Sequence, residues 1–179
     1  KTIEIQGFKK GEQSGGPGDL QLAIDSKNQR LIVLSVEDSK LFIFDVNSNG
    51  LLKEVDISNI NLKKVRDGAN VGLSFIDSDN SRLFVGPYEF DINTLKLTGR
   101  ILQDGQRVFA FDPKENAYWV SGVKQDEKIL NDIVAATDAE TLKTRYIENL
   151  GPTQTTKPSF AIDTDNRKLY VGYMAMARL

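Results

Sequence analysis

The 179-residue chain contains no cysteine and no histidine. Without cysteine there are no disulfides, thiolate metal sites or cysteine nucleophiles; without histidine the commonest general base and metal ligand is gone. An excess of charge of one sign is missing too, since 23 Lys and Arg stand against 25 Asp and Glu, a net −2. That balance makes no global positive field to recruit nucleic acid or an anionic membrane, so neither is an expected partner. No apolar run approaches the roughly 18 residues of a membrane helix, and membrane insertion is not expected. The remaining composition, 40% hydrophobic and 27% charged, is that of one globular domain over 1–179, or part of one. The opening Lys1-Thr2-Ile3 has neither Met nor signal peptide, as in a processed protein or an excised piece.

What is present is repetition. Residues 22–33, 75–85, 109–120 and 160–172 align as apolar triplets that end in Asp25, Asp77, Asp112 and Asp163, followed by a polar turn and a second apolar run. The triplets are short and β-rich, and the Asp, Ser, Asn and Pro residues after them hydrogen-bond their own backbone in turns. Each segment therefore predicts a β-hairpin. A second hairpin unit lies between them, centred on Asp45, Asp91 and Asp138 at intervals of 46 and 47 residues, the spacing of propeller blades. Two hairpins per period give a four-stranded antiparallel blade, with strands a to d in chain order.

Strand b is apolar on both faces, as in Leu31-Ile32-Val33-Leu34, which suits a sheet sandwiched between neighbours; strand d alternates, as in Lys53-Glu54-Val55-Asp56-Ile57, which suits a rim. The fold class expected is thus all-β, with complete blades over 19–60, 70–102 and 106–150. Strand a is expected innermost, at 22–25, 73–77, 108–112 and 159–163. Residues 1–8 match the strand d pattern of 53–60, and the chain ends after strands a and b of a further blade, so half-blades stand at both ends. Their open edges invite self-association or pairing with another chain.

Apolar triplet, Asp, polar turn and then Leu169-Tyr170-Val171-Gly172 or Leu83-Phe84-Val85-Gly86 resembles the YVTN-type β-propeller repeat, the WD40-related branch found in surface-layer and periplasmic proteins. The other copies depart from the signature, as Leu31-Ile32-Val33-Leu34 and Tyr118-Trp119-Val120-Ser121. The resemblance implies an extracytoplasmic location and about seven blades, so three and a half blades suggest a fragment of a longer propeller. A four-bladed ring closed by residues 1–8 is the alternative.

Candidate chemistry is sparse. Asp77-Ser78-Asp79-Asn80 and Asp163-Thr164-Asp165-Asn166 place oxygens at alternate positions, but they lack the Gly and bidentate Glu of a calcium loop, and the other copies put Lys27 and Lys114 at a ligand position. They are read as turn caps, as are Asp45, Asp91 and Asp138. Glu89, Glu37 and Asp38 could serve paired-carboxylate chemistry by location alone. Trp119 is expected to pack between blades. The Gly-rich stretch 11–18 precedes a strand, not a helix, and is no phosphate loop. No catalytic residue, metal site or cofactor is assigned.

The resemblance puts the d-to-a and b-to-c loops on one face, where such propellers commonly bind. The d-to-a loops carry Lys9, Lys10, Lys63, Lys64, Arg66, Arg107 and Lys157 against Glu12, Asp67 and Asp104. Binding residues are therefore assigned to Arg66, Arg107, Lys157, Lys63 and Lys64, with the long loop from Lys124 to Asn131 next in line. The expected function is a non-catalytic module that presents this face to a protein, glycan or anionic ligand. Alternatives are part of a lactonase-like or lyase-like propeller enzyme, or a scaffold subunit of a quinoprotein-type dehydrogenase with its catalytic residues outside this segment.

Overall fold

The repeated aspartates act first on the chain around them. In the computed structural model, which describes residues 20–36, 38–60, 73–103, 106–126, 129–152, 158–166 and 168–172, each of them ends a strand and caps the turn that follows. Asp77 takes the N–H of Asn80 at 3.1 Å and its side-chain amide at 2.9 Å, and Asp25 and Asp163 take the same two groups of Asn28 and Asn166. Asp112 takes the N–H groups of Lys114 and Glu115 at 3.0 and 3.3 Å. In the second unit Asp45, Asp91 and Asp138 each accept an N–H and a hydroxyl from the residue three places on, Ser48, Thr94 and Thr141. Such bonds turn the chain locally, before any tertiary contact exists.

The turns of the second unit close alike. Asn49, Leu95 and Leu142 hold left-handed φ values of 60°, 55° and 55°, and each donates its N–H to the carbonyl of the leading Asp at 2.8 to 2.9 Å. A leucine in that conformation costs about 1 kcal/mol or more. Leu95 and Leu142 are buried, and burying a leucine contributes about 1.5–3 kcal/mol, so the strain is offset.

Fourteen strands follow among the described residues, all in antiparallel neighbour-to-neighbour sheets. By contact the chain forms two compact units, Lys1–Leu62 and Lys63–Leu179. The first holds one sheet, β1 (Leu20–Asp25), β2 (Arg30–Ser35), β3 (Lys40–Asp45) and β4 (Leu51–Asp56), in sequential order. Ile32, Val33 and Leu34 of β2 and Leu41 to Phe44 of β3 are buried on both faces, while β4 is largely exposed.

The second unit holds β5 (Leu73–Asp77), β6 (Arg82–Val85), β7 (Tyr88–Asp91) and β8 (Leu97–Ile101), then β9 (Arg107–Asp112), β10 (Ala117–Asp126), β11 (Ile129–Asp138) and β12 (Thr144–Pro152), then the pair β13 (Ser159–Asp163) and β14 (Lys168–Gly172). Its first strands are neighbours, β5 beside β9 and β9 beside β13, and Phe109 stacks on Phe160 at 5.0 Å between them. The described residues are all-β: three four-stranded antiparallel sheets, each with the form of a β-propeller blade, and one antiparallel pair. The strands of sequence type a fall where the repeat puts them; residues 1–8 lie outside the described residues.

One expectation is corrected. Lys124 to Asn131 is not a long loop: β10 runs to Asp126, β11 starts at Ile129, and Lys124 pairs directly with Asn131. Continued pairing from Val123 with Asp132 to Asp126 with Ile129 satisfies the backbone of both strands, so the hairpin extends through a segment rich in charged residues.

Between the first and second sheets of this unit, the second and third of the chain, sits the largest buried side chain among the described residues, Tyr118. Its ring meets Phe84 edge-on at 4.9 Å and Phe75 at 6.1 Å, within a core that includes Leu102, Val108, Val120 and Leu142. Its hydroxyl donates to Asp77 Oδ2 at 2.6 Å, and Arg82 lies over the ring with its Cζ 5.8 Å from the centroid. Arg82 and Arg100 then donate to the backbone carbonyl of Ala139, Arg100 also reaches the carbonyl of Glu140, and Glu140's carboxylate pairs with Arg82. The β11–β12 turn of the third sheet is thus clamped to the second.

Burial, together with the bond to Asp77, pushes the Tyr118 phenol above its ordinary value. The proton is held more tightly folded than unfolded, so its contribution is complete below about pH 10 and fades as the unfolded chain starts to lose that proton. Tyr118→Phe is expected to cost about 1–2 kcal/mol at neutral pH, and to make stability fall less steeply above about pH 10. Urea unfolding across that range checks it; an unchanged slope would refute the assignment.

Candidate binding face

Strand pairing builds a charged face on the third sheet. Arg107 of β9 stands opposite Ser121 of β10, and Val123 of β10 stands opposite Asp132 of β11. Alternation along β10 puts Trp119, Ser121 and Val123 on one side of the sheet, opposite to Tyr118 and Val120. Arg107, Ser121, Trp119 and Asp132 therefore share the side away from the Tyr118 core.

Arg107 is half-buried, and its Nε donates to Ser121 Oγ at 3.2 Å. No carboxylate pairs with it among the described residues. Burial alone shifts its guanidinium, below the ordinary value, yet an arginine stays charged at neutral pH. A half-dehydrated cation without a counter-charge carries an unmet demand for an anion. Asp132 is 4% exposed, and its Oδ2 has no hydrogen-bond partner among the described residues, as is also true there of the Trp119 indole N–H. One face thus carries an uncompensated cation, an unmet acceptor and an unmet donor.

Of the assigned binding residues, Arg107 is the one the described residues include. Lys63, Lys64, Arg66 and Lys157 lie outside them, as do Lys9, Lys10, Glu12, Asp67 and Asp104, and nothing brings these together with Arg107. The candidate carboxylates have structural partners: Glu89, 2% exposed, is forked by Arg100, and Asp38 accepts from Ser35 Oγ at 2.8 Å; Glu37 lies outside the described residues. Asp77 spends its oxygens on Asn80 and Tyr118, which supports the cap reading over a calcium ligand. Arg145 and the Thr141 turn hold Asp138 well below the usual carboxylate range.

Asp132 was not singled out from sequence. The available signal was an Asn-Asp pair set between the apolar runs Ile129-Leu130 and Ile133 to Ala136. Trp119 lines an open groove of about 360 Å³ with Ala117, Ala136, Tyr146, Lys168 and Leu169 among its walls.

No family model and no curated protein matches this chain. Among solved structures, dihydro-heme d1 dehydrogenase NirN in complex with DHE is similar to it, with 17% identity and a TM-score of 0.49 over 87% of this chain and 33% of that one. The chain spans about a third of that protein's length.

Removing the charge of Asp132 should relieve a buried group of a dehydration cost that no bond repays. Asp132→Asn is expected to leave stability unchanged or raise it by about 1 kcal/mol in urea unfolding. A loss of that size would show that Oδ2 is bonded.

Proposed function

We propose that this chain belongs to an extracytoplasmic, YVTN-type propeller that acts as a non-catalytic binding or scaffold module, presenting its d-to-a loop face to an anionic ligand or acidic protein surface. The observation that carries the reading is Arg107: half-buried, bonded to Ser121 and without a carboxylate partner among the described residues. A guanidinium so placed can grip a carboxylate or sulfate with two parallel hydrogen bonds. Ser121 fixes the Nε side of the fork, so less side-chain freedom is lost on binding. The sequence adds Lys63, Lys64, Arg66 and Lys157 on loops of the same type, and several such charges sum to a potential that concentrates and orients an anion. The lack of histidine and cysteine, with Glu89 and Asp77 tied into structural bonds, favours binding over catalysis.

Poly-glutamate and dextran sulfate are suitable probes of an acidic protein surface and an anionic glycan. Both should bind more weakly as salt rises from about 0.1 M to about 1 M, where the Debye length falls from about 10 Å to about 3 Å. The Arg66→Ala, Arg107→Ala double variant should bind roughly ten-fold more weakly in surface plasmon resonance. Its thermal midpoint should shift little, because the Arg107 charge has no salt bridge to lose among the described residues. Binding indifferent to both salt and the double substitution refutes the reading.

A further inference from the structure

A second cavity lies on the other side of the third sheet, away from Arg107. The hairpins of the second and third sheets differ in length: β6 and β7 have four residues each, β10 and β11 ten each. Arg82 stands five residues after Asp77, as Ala117 stands five after Asp112. On that alignment the last pair of the shorter hairpin, Val85 with Tyr88, falls on Val120 with Ala135. Residues 121–126 and 129–134 therefore have no equivalent in β6 and β7, and the third sheet extends past its neighbour. There a cavity of about 290 Å³ opens between Lys124, Ile133, Thr144 and Ile147 of the third sheet and Gln103 and Gln106 of the segment that joins β8 to β9. Strand alternation puts Lys124, and Ile133 opposite Gly122, on the Tyr118 side. Both walls belong to four-stranded sheets and the segment between them.

The walls are chemically mixed. Ile133, 3% exposed, and Ile147, 41% exposed, make an apolar strip. Gln106 is also 3% exposed. Its backbone N–H donates to the Gln103 carbonyl at 3.0 Å and its side-chain amide to Gln103 Oε1 at 3.3 Å, which fixes the two side chains together. The carboxamide oxygen of Gln106 accepts no bond among the described residues, so it calls for a donor from solvent or a ligand. Thr144 adds a hydroxyl and Lys124 an exposed ammonium that forms no ion pair among the described residues; no carboxylate of those residues lines the cavity.

We propose that this cavity binds a single sugar ring that carries a carboxylate, a uronic acid. Lys124 takes the carboxylate. Ring hydroxyls, which both donate and accept, meet Gln103, Gln106 and Thr144, and the C–H face of the ring lies on Ile133 and Ile147. A neutral sugar forgoes the contact with Lys124, and an aliphatic acid leaves the two carboxamides without partners. The volume stands at the small end of ligand pockets, which suits one ring rather than a chain of them. This site is separate from Arg107 and does not depend on the anion-binding reading.

D-Glucuronate is the probe and D-glucose its neutral control, each titrated into the intact protein and followed by saturation-transfer NMR. Glucuronate is expected to bind saturably with a dissociation constant of about 1 mM, and glucose about ten-fold more weakly. Lys124→Ala should weaken glucuronate about ten-fold, the loss of one charge-assisted hydrogen bond, and leave glucose as it was. Ile147→Glu sets a negative charge on the apolar strip and should abolish glucuronate binding. Both side chains are exposed, so both variants should keep the parent's thermal midpoint; Lys124→Gln replaces Lys124→Ala if that variant does not fold. The titrations are repeated with Arg107→Ala to silence the other cation, and the same glucuronate affinity is expected there. No saturable binding up to about 50 mM, equal affinity for the two sugars, or equal glucuronate affinity in the folded Lys124 variant would each overturn the proposal. Loss of binding in Arg107→Ala would also overturn it, by giving the probe to the site already described.

Discussion

The hydrogen bond from Tyr118 to Asp77 is the contact on which the second unit depends. Asp77 belongs first to its own turn, where it holds Asn80, and its second oxygen is shared with a tyrosine 41 residues on. One carboxylate therefore fixes a local turn and joins two sheets. The Tyr118 ring carries the apolar part of the same joint, against Phe84 and Phe75. Buried tyrosine hydroxyls need partners, and this one finds a partner that the turn has already placed.

Around that bond the charges divide by role. Arg82 and Arg100 use their donors on backbone carbonyls of the next turn as well as on Glu140 and Glu89. Bonds to carbonyls hold a turn in place whatever its side chains are, which suits a repeat whose turn sequences vary. Surface pairs such as Lys114 with Asp165 add little, because both groups are exposed. Arg107 stands apart, since its fork is turned to a hydroxyl rather than an acid.

What could be read from sequence is what forms within a few residues. The seven aspartate caps were legible because each bonds a group two or three positions away, and strands follow from the apolar runs between caps. The clamp was not legible: Arg82 meets Ala139 across 57 residues and Tyr118 meets Asp77 across 41, and nothing local marks Tyr118 among aromatic strand residues. The extended β10–β11 hairpin was missed because the polar residues from Lys124 to Lys128 and the Asn131-Asp132 pair interrupt any period-two pattern there, and its pairing shows only in three dimensions. Of the basic residues singled out from sequence Arg107 has a defined setting, at the start of β9, and that no carboxylate pairs with it among the described residues is visible only in three dimensions. Trp119, expected to pack between blades, lines an open groove beside Lys168 and Leu169, which only the placement of successive sheets reveals.

The claim that a shared carboxylate joins the two sheets is tested most directly by a double-mutant cycle in urea between Asp77→Ala and Tyr118→Phe. A buried hydrogen bond to a charged group predicts a coupling of about 1.5–3 kcal/mol, with the double variant less destabilised than the sum of the singles. A coupling near zero would show that Asp77 acts only on its own turn and that apolar contact alone holds the sheets together.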